Sequence, residues 1–202
     1  MTEREIIQRG AEAIIYLEKG NIVKERVFKG YRVAELDRKI RRQRTKAEAK
    51  LMGRAADSGA KVPNVRVDSD SKLVMDHLKG EKIKDILNNV DNEKRADICS
   101  KMGGIIAKIH SSGIIHGDLT TSNMILVGND VYLIDFGLGK FSEKVEDQAV
   151  DLFLLYEALN STHVNFLDEC WEKVIKIYSK KHTKAKEVIL RMEKIKNRRR
   201  YK

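Results

Sequence analysis

Short stretches rich in β-branched residues open the chain and give way to longer runs with helical spacing. Glu5 to Arg9, Ala13 to Glu18 and Asn21 to Phe28 read as strands of a meander, punctuated by Gly10 and by Lys19-Gly20-Asn21. Thr45 to Asp57 reads as a helix, because Ala47, Leu51 and Ala55 recur every fourth position beside Met52 and Ser58-Gly59 closes the segment. Val65 to Val67 and Lys72 to Asp76 predict two more strands around the polar turn Asp68-Ser69-Asp70-Ser71. From Asp91 the period is helical, with Ile98, Met102, Ile105, Ile106 and Ile109 on one stripe and Ser111-Ser112-Gly113 as its stop. Two strands, Met124 to Val127 and Val131 to Ile134, flank Gly128-Asn129-Asp130, and helices follow at about Glu146 to Asn160, Val164 to Lys180 and Thr183 to Arg199. No internal repeat is present. The pattern predicts an α+β fold with an antiparallel sheet and one helix first and a mainly helical part after it.

Composition narrows the class. A chain of 202 residues with a single proline, Pro63, and no Gly/Ser-rich linker fits one domain. No apolar run approaches the roughly 18 to 20 residues of a membrane-spanning helix, and MTEREIIQRG carries acids where a signal peptide is basic, so a soluble cytoplasmic protein with no membrane partner is expected. Cys99 and Cys170 lack CxxC spacing and are expected to be reduced and buried, and five scattered histidines suggest no zinc site. The net charge of +10 favours a polyanionic partner. It is concentrated in Arg38 to Lys50 and in Arg191 to Lys202, each with seven basic residues and one acid. Each segment alone could be a solvated helix face or a frayed tail; together they suggest a binding surface.

The chemistry lies between the last strands. Ile115-His116-Gly117-Asp118-Leu119-Thr120-Thr121-Ser122-Asn123 sets a His-x-Asp with an asparagine five residues on, and Asp135-Phe136-Gly137 begins twelve residues after Asn123. This is the arrangement of a protein-kinase catalytic loop and its metal-binding triplet. Phosphoryl transfer depends on positioning and electrostatics, so it needs oxygen ligands for Mg²⁺ and a carboxylate near the nucleophile. Asp135 is expected to ligate the metal, Asn123 to add a neutral amide oxygen, and Asp118 to orient or deprotonate the attacking hydroxyl or water. His116 is expected to support the loop.

A kinase-type site also needs a phosphate-binding lysine and its glutamate. Lys24, after the apolar Ile22-Val23 on the third strand, and Glu48, in the first helix after it, are the candidates, with Lys29 and Arg32 as second choices for phosphate contacts. The turn Gln8-Arg9-Gly10-Ala11-Glu12-Ala13 should lie over the phosphates, although Gly10 is its one glycine where typical kinases have three. Met75 would line the adenine pocket, and the backbone from Asp76 to Leu78 would bond the base edge. The reading is thus a minimal bilobal protein-kinase-like fold binding ATP and Mg²⁺: a single domain over 1–202, with an N-lobe of about 1–78, a C-lobe of about 79–190 and a basic tail of about 191–202. Only thirteen residues separate Gly137 from Asp151, with no Ala-Pro-Glu after them, which argues against a peptide-docking platform.

Gln8-Arg9-Gly10-Ala11-Glu12-Ala13, Lys24, Phe28-Lys29-Gly30-Tyr31-Arg32, Arg44-Thr45 before Glu48-Ala49, the His116 to Asn123 loop, Asp135-Phe136-Gly137-Leu138 and Glu146 to Leu152 carry a resemblance over nearly the whole chain. With Gly117 and Thr120 where ordinary kinases have Arg and Lys, the chain resembles the small atypical kinase/ATPase subunit of the KEOPS (EKC) complex, the budding-site-selection kinase family. The resemblance implies a Ser/Thr kinase or ATPase partnered by a threonylcarbamoyltransferase subunit and small KEOPS subunits, acting on tRNA to form threonylcarbamoyl adenosine. It also implies that the tail with Arg198-Arg199-Arg200 reaches toward the transferase or tRNA, and that Asp151 braces the catalytic-loop backbone. Two alternatives stand beside it: a non-catalytic nucleotide-binding scaffold that recruits tRNA, and a small-molecule phosphotransferase.

Overall fold

The computed structural model describes residues 4–200, with side chains to residue 198. Strands β1 (Glu5–Arg9), β2 (Ala13–Glu18) and β3 (Asn21–Arg26) precede helix α1 (Ala34–Asp57), and β4 (Val65–Ser69) and β5 (Lys72–Asp76) follow it. The five strands form one antiparallel sheet in the order β1-β2-β3-β5-β4. Its register determines the site. Ile15, Lys24 and Leu73 lie on one rung, Ala13 and Arg26 on another, and Ile22 and Met75 on a third. Residues opposite one another in antiparallel strands share a face, so these seven line one side of the sheet. Tyr16, Val23 and Val74, with Ile14 against them, form a small cluster on the other side.

Helix α1 starts at Ala34, well before the expected Thr45. Its first turns show no apolar period because their buried residue is a carboxylate. Asp37 is fully buried and accepts hydrogen bonds from Arg41 Nε at 2.6 Å and from the Lys29 backbone N–H at 3.2 Å, with Arg32 at 3.7 Å. Much of the Arg38 to Lys50 segment is therefore the outer face of α1, and Arg38 and Arg42 reach Asp70. Strand β3 ends at Arg26, short of Phe28, where the Val27 N–H turns to Glu12 O.

The rest comprises β6 (Glu81–Lys82), α2 (Ile83–Ile86), α3 (Asn92–Ser111), β7 (Ile114–Ile115), β8 (Met124–Val127), β9 (Asp130–Leu133), β10 (Lys140–Phe141), α4 (Val145–Thr162), α5 (Leu167–Lys181) and α6 (Ala185–Arg200). Asp91 caps α3 by accepting from the Lys94 N–H at 2.7 Å. The expected stripe from Ile98 to Ile109 is buried in a core that runs from Leu51, Met52 and Ala55 of α1 through α3 to Val174 and Tyr178 of α5 and Val188 and Met192 of α6. Helices α3 and α5 approach so closely that a Cβ at Gly103 would lie 2.3 Å from Val174 O. Short strands β7 and β10 pair with each other and clamp the two ends of the 116–139 segment. Cys99 and Cys170 are free and buried. No helix among the described residues is long and apolar enough to cross a membrane. The basic tail lies partly on α6; the Arg199 and Arg200 side chains, with Tyr201 and Lys202, fall outside the described residues.

A polar network buried at the α5–α6 junction makes the fold sensitive to acid. His182 is 5% exposed, 2.9 Å from Ser111 Oγ through Nδ1 and 3.1 Å from Gln148 Oε1 through Nε2. Gln148 Nε2 donates to His110 O, so its Oε1 is the acceptor and His182 carries a proton on Nε2. Burial, with the neighbouring His110 and Lys184, pushes the His182 pKa down to about 4. The unfolded chain takes up this proton near pH 6.5 and the folded chain only near 4. Stability is therefore lost as pH falls from about 6.5 towards 4, by up to ~1.4 kcal/mol per pH unit for this group. Buried His116, also lowered by desolvation, adds in the same direction. Urea denaturation at pH 7 and pH 5 should show the loss, and His182→Gln should reduce it.

Candidate active site

Strand β3 and helix α1 converge on one buried carboxylate. Lys24 lies 2.7 Å from Glu48 Oε1, and Arg26 donates to Glu48 Oε2 at 2.6 Å. Glu48 is 1% exposed and Lys24 7% exposed, so neither is a surface charge. Leu51, Met52 and Ala55 anchor the next turns of α1 in the main core, which fixes where Glu48 points. Lys24 also donates to Asp135 Oδ1 at 2.6 Å, and this ion pair joins the sheet to the far end of β9.

Asp135 has φ of 61°, in the left-handed region that non-glycine residues rarely occupy. Its Oδ1 also accepts from the Gly137 N–H at 3.1 Å. Burial would push this carboxyl up, but the Lys24 charge and hydrogen bond and the Gly137 N–H together hold it below the usual carboxylate range. A Cβ at Gly137 would sit 3.0 Å from Asp135 Oδ1 and 3.2 Å from Lys24 Nζ. The smallest residue therefore follows Phe136 so that the carboxylate and the lysine can meet.

Asn123 stands on a single 3₁₀ turn, Thr121–Asn123, just before β8. Its Nδ2 donates to Asp118 O at 2.9 Å and to Asp118 Oδ2 at 2.8 Å. With the NH₂ group spent on Asp118, the amide oxygen remains as its acceptor. His116 is fully buried; its Nε2 donates to Ile134 O at 3.0 Å, its Nδ1 accepts from the Asp118 N–H at 3.3 Å, and its ring packs on Phe136. Desolvation lowers its pKa. It is a neutral strut between the two motifs, with both nitrogens committed. From below, fully buried Asp151 accepts from the His116 N–H at 2.6 Å and the Gly117 N–H at 2.8 Å. Gly117 has φ of 81°, and a Cβ there would fall 2.2 Å from Leu138 O, so only glycine fits.

A cleft of about 290 Å³ is lined by Gln8 to Ala13, Ile15, Lys24, Arg26, Arg44, Asp118, Asp135, Gly137 and Leu138 with Arg9 excepted. It gathers Gly10, Lys24, Asp118 and Asp135, while Glu48 and Asn123 hold these residues from behind. Other expected residues stand apart. Met75 is on the Lys24 face of the sheet, two rungs past Leu73, but Met75, Asp76 and Leu78 do not line this cleft. The Asp76 N–H donates to Asn64 O at 3.1 Å, so it is not free for a base edge. Lys29 Nζ donates to Ala11 O at the edge of the cleft and Arg32 faces Asp37; neither second choice lines the cleft itself. Arg26 was not expected. Its position two residues beyond Lys24 on a strand puts it on the same face, and that period is the signal that finds it.

The fold and the site define a phosphotransferase of the protein-kinase type. The fold agrees with that of a Rio2 kinase from Chaetomium thermophilum, solved as an ADP/Mg²⁺-phosphoaspartate complex, at a TM-score of 0.64 and 13% identity over 98% of this chain and 72% of that one. The chain belongs to the RIO domain family of atypical kinases, whose pattern matches residues 18–153. It is 41% identical to the KEOPS complex subunit Bud32 of Pyrococcus abyssi over 97% of this chain and 96% of that protein. It is also 42% identical, over 87% of its length, to the probable bifunctional tRNA threonylcarbamoyladenosine biosynthesis protein of Methanothermobacter thermautotrophicus, of which it spans 33%.

Proposed function

We propose that the chain is an ATP- and Mg²⁺-dependent atypical Ser/Thr kinase or ATPase, working in the cytoplasm as a subunit of a KEOPS-type complex that forms threonylcarbamoyl adenosine on tRNA. Its partners would be a threonylcarbamoyltransferase subunit and small KEOPS subunits, as the names of its relatives suggest. The observation that carries the reading is the ion-pair chain Glu48–Lys24–Asp135 opening onto the same cleft as Asp118. A dead scaffold has no chemical need for that set.

The donor chemistry fits Mg²⁺: one carboxylate, Asp135, and one amide oxygen, Asn123, with the remaining positions left to phosphate and water. Bound there, the metal would offset the charge of the phosphates. Lys24, held by Glu48, would contact the α and β phosphates, and Gly10 would lie in the turn above them. Asp118 would orient the acceptor hydroxyl or water and take its proton. Met75, Asp76 O and Leu78 N–H would frame adenine farther along the same sheet face. The whole chain would act as one catalytic body, with the lobes divided near 78/79. The test is Mg²⁺-dependent phosphate release and autophosphorylation by the purified chain, with and without the transferase subunit and tRNA. Release that rises with the partner supports the proposal; tight ATP binding with no turnover under any condition would replace it by a scaffold.

A further inference from the structure

We infer that Arg26 is a second cationic contact for the nucleotide polyphosphate, beside Lys24; this rests on the ATP-dependent reading above. Arg26 lines the cleft together with Lys24, Asp118 and Asp135, yet it is only 6% exposed. Its Nη2 is committed to Glu48, whereas its Nε is buried and has no hydrogen-bond partner among the described residues. A buried donor left without an acceptor is costly, and in a charged guanidinium more so. Such an orphan is rare in a native protein unless a ligand supplies the missing acceptor. The partner it lacks must offer an acceptor, and the positive charge favours an anion.

The turn above the cleft makes a phosphate the best fit. In a glycine-rich loop, free backbone N–H groups cradle the phosphates. Here the Gly10 N–H is already spent on Ala13 O at 2.9 Å. Lys29 Nζ donates to Ala11 O, and Arg44, the other cleft cation, is paired with Glu12 at 2.7 Å. Lys24 already serves two carboxylates. Arg26 thus holds a buried, unsatisfied donor where the glycine loop is deficient. Its place on β3, opposite Ala13 on β2, sets it nearer that turn than Lys24, which lies opposite Ile15. Arginine also suits the task because one edge of its fork can stay on Glu48 while Nε–H serves the ligand.

The experiment is equilibrium binding of ATP, ADP and adenosine, with Mg²⁺ present, to the unaltered chain and to Arg26→Gln and Arg26→Lys. Glutamine should weaken ATP and ADP binding about 10-fold or more and leave adenosine unchanged, because only the phosphates lose a contact. Lysine, which keeps the charge near the cleft, should recover part of the loss. Equal weakening of ATP and adenosine would overturn the inference in favour of a general loss of fold, no further weakening of ATP binding by Arg26→Gln in a Lys24→Ala background would overturn it in favour of a brace acting through Glu48 and Lys24, and unchanged ATP affinity in Arg26→Gln would overturn it outright. If the unaltered chain itself failed to bind ATP, the ATP-dependent reading would fall first and this inference with it.

Discussion

Replacing Asp118 with alanine should lower the rate of phosphate release by about 10²- to 10⁴-fold, the usual worth of a positioned general base, while ATP affinity stays within about twofold. The asymmetry follows from the contacts. The Asp118 carboxylate touches Asn123 Nδ2 but neither Lys24 nor Asp135, so Lys24 and Asp135 keep their partners without it. Asn123 also keeps its 2.9 Å bond to the residue 118 carbonyl, which alanine retains, and its amide oxygen stays in place. Asp135→Ala should behave differently. It removes the carboxylate that holds Lys24 from the far side and the one negative metal donor, so Mg²⁺-dependent ATP binding itself should be lost. Phosphate release and ATP binding measured on both variants separate the two roles. Intact turnover in Asp118→Ala, or ATP binding that survives in Asp135→Ala and fails in Asp118→Ala, would reverse the assignments.

That Asp118, Asn123 and Asp135 come together was legible because the two motifs that carry them are local in sequence: their spacing is set by β8, β9 and the turn between them, and short-range patterns report that well. The Lys24–Glu48 pair was legible for a different reason. A lysine that follows two β-branched residues on a strand, with a helix after it that brings in a glutamate, is an ordered sequence of elements even though the contact is long-range. Asp37 and the first turns of α1 were hidden because a buried acid matched by arginines looks, in sequence, like a solvated charged face. Short strands β6, β7 and β10 are two residues each and have no period to detect, yet β7 and β10 clamp the ends of the catalytic segment. The hydrogen bonds that Lys29 Nζ and the Asp76 N–H make depend on how a turn closes and on where the 60–64 loop runs, and neither is a local property.

Asp151→Ala should cost several kcal/mol of stability and most of the activity, although Asp151 does not line the cleft. Its carboxylate is fully buried and accepts from two backbone donors, the His116 N–H at 2.6 Å and the Gly117 N–H at 2.8 Å, with His110 Nε2 at 3.4 Å. Alanine would strand both amides away from water, and each unsatisfied buried donor costs about 1 to 3 kcal/mol, a large share of the 5 to 15 kcal/mol that holds a typical domain together. Gly117 cannot relax easily, because its left-handed backbone is pressed against Leu138 O. The loop would release the strain by moving Asp118, the next residue, so the rate should fall even in conditions where the variant remains folded. Asp151→Asn keeps one acceptor oxygen but turns an NH₂ group toward the other amide, and should fall between the two. Urea midpoints together with phosphate release below the melting transition test this. A variant as stable as the parent, with an unchanged rate, would mean that the catalytic loop holds its shape through His116 and β7 alone.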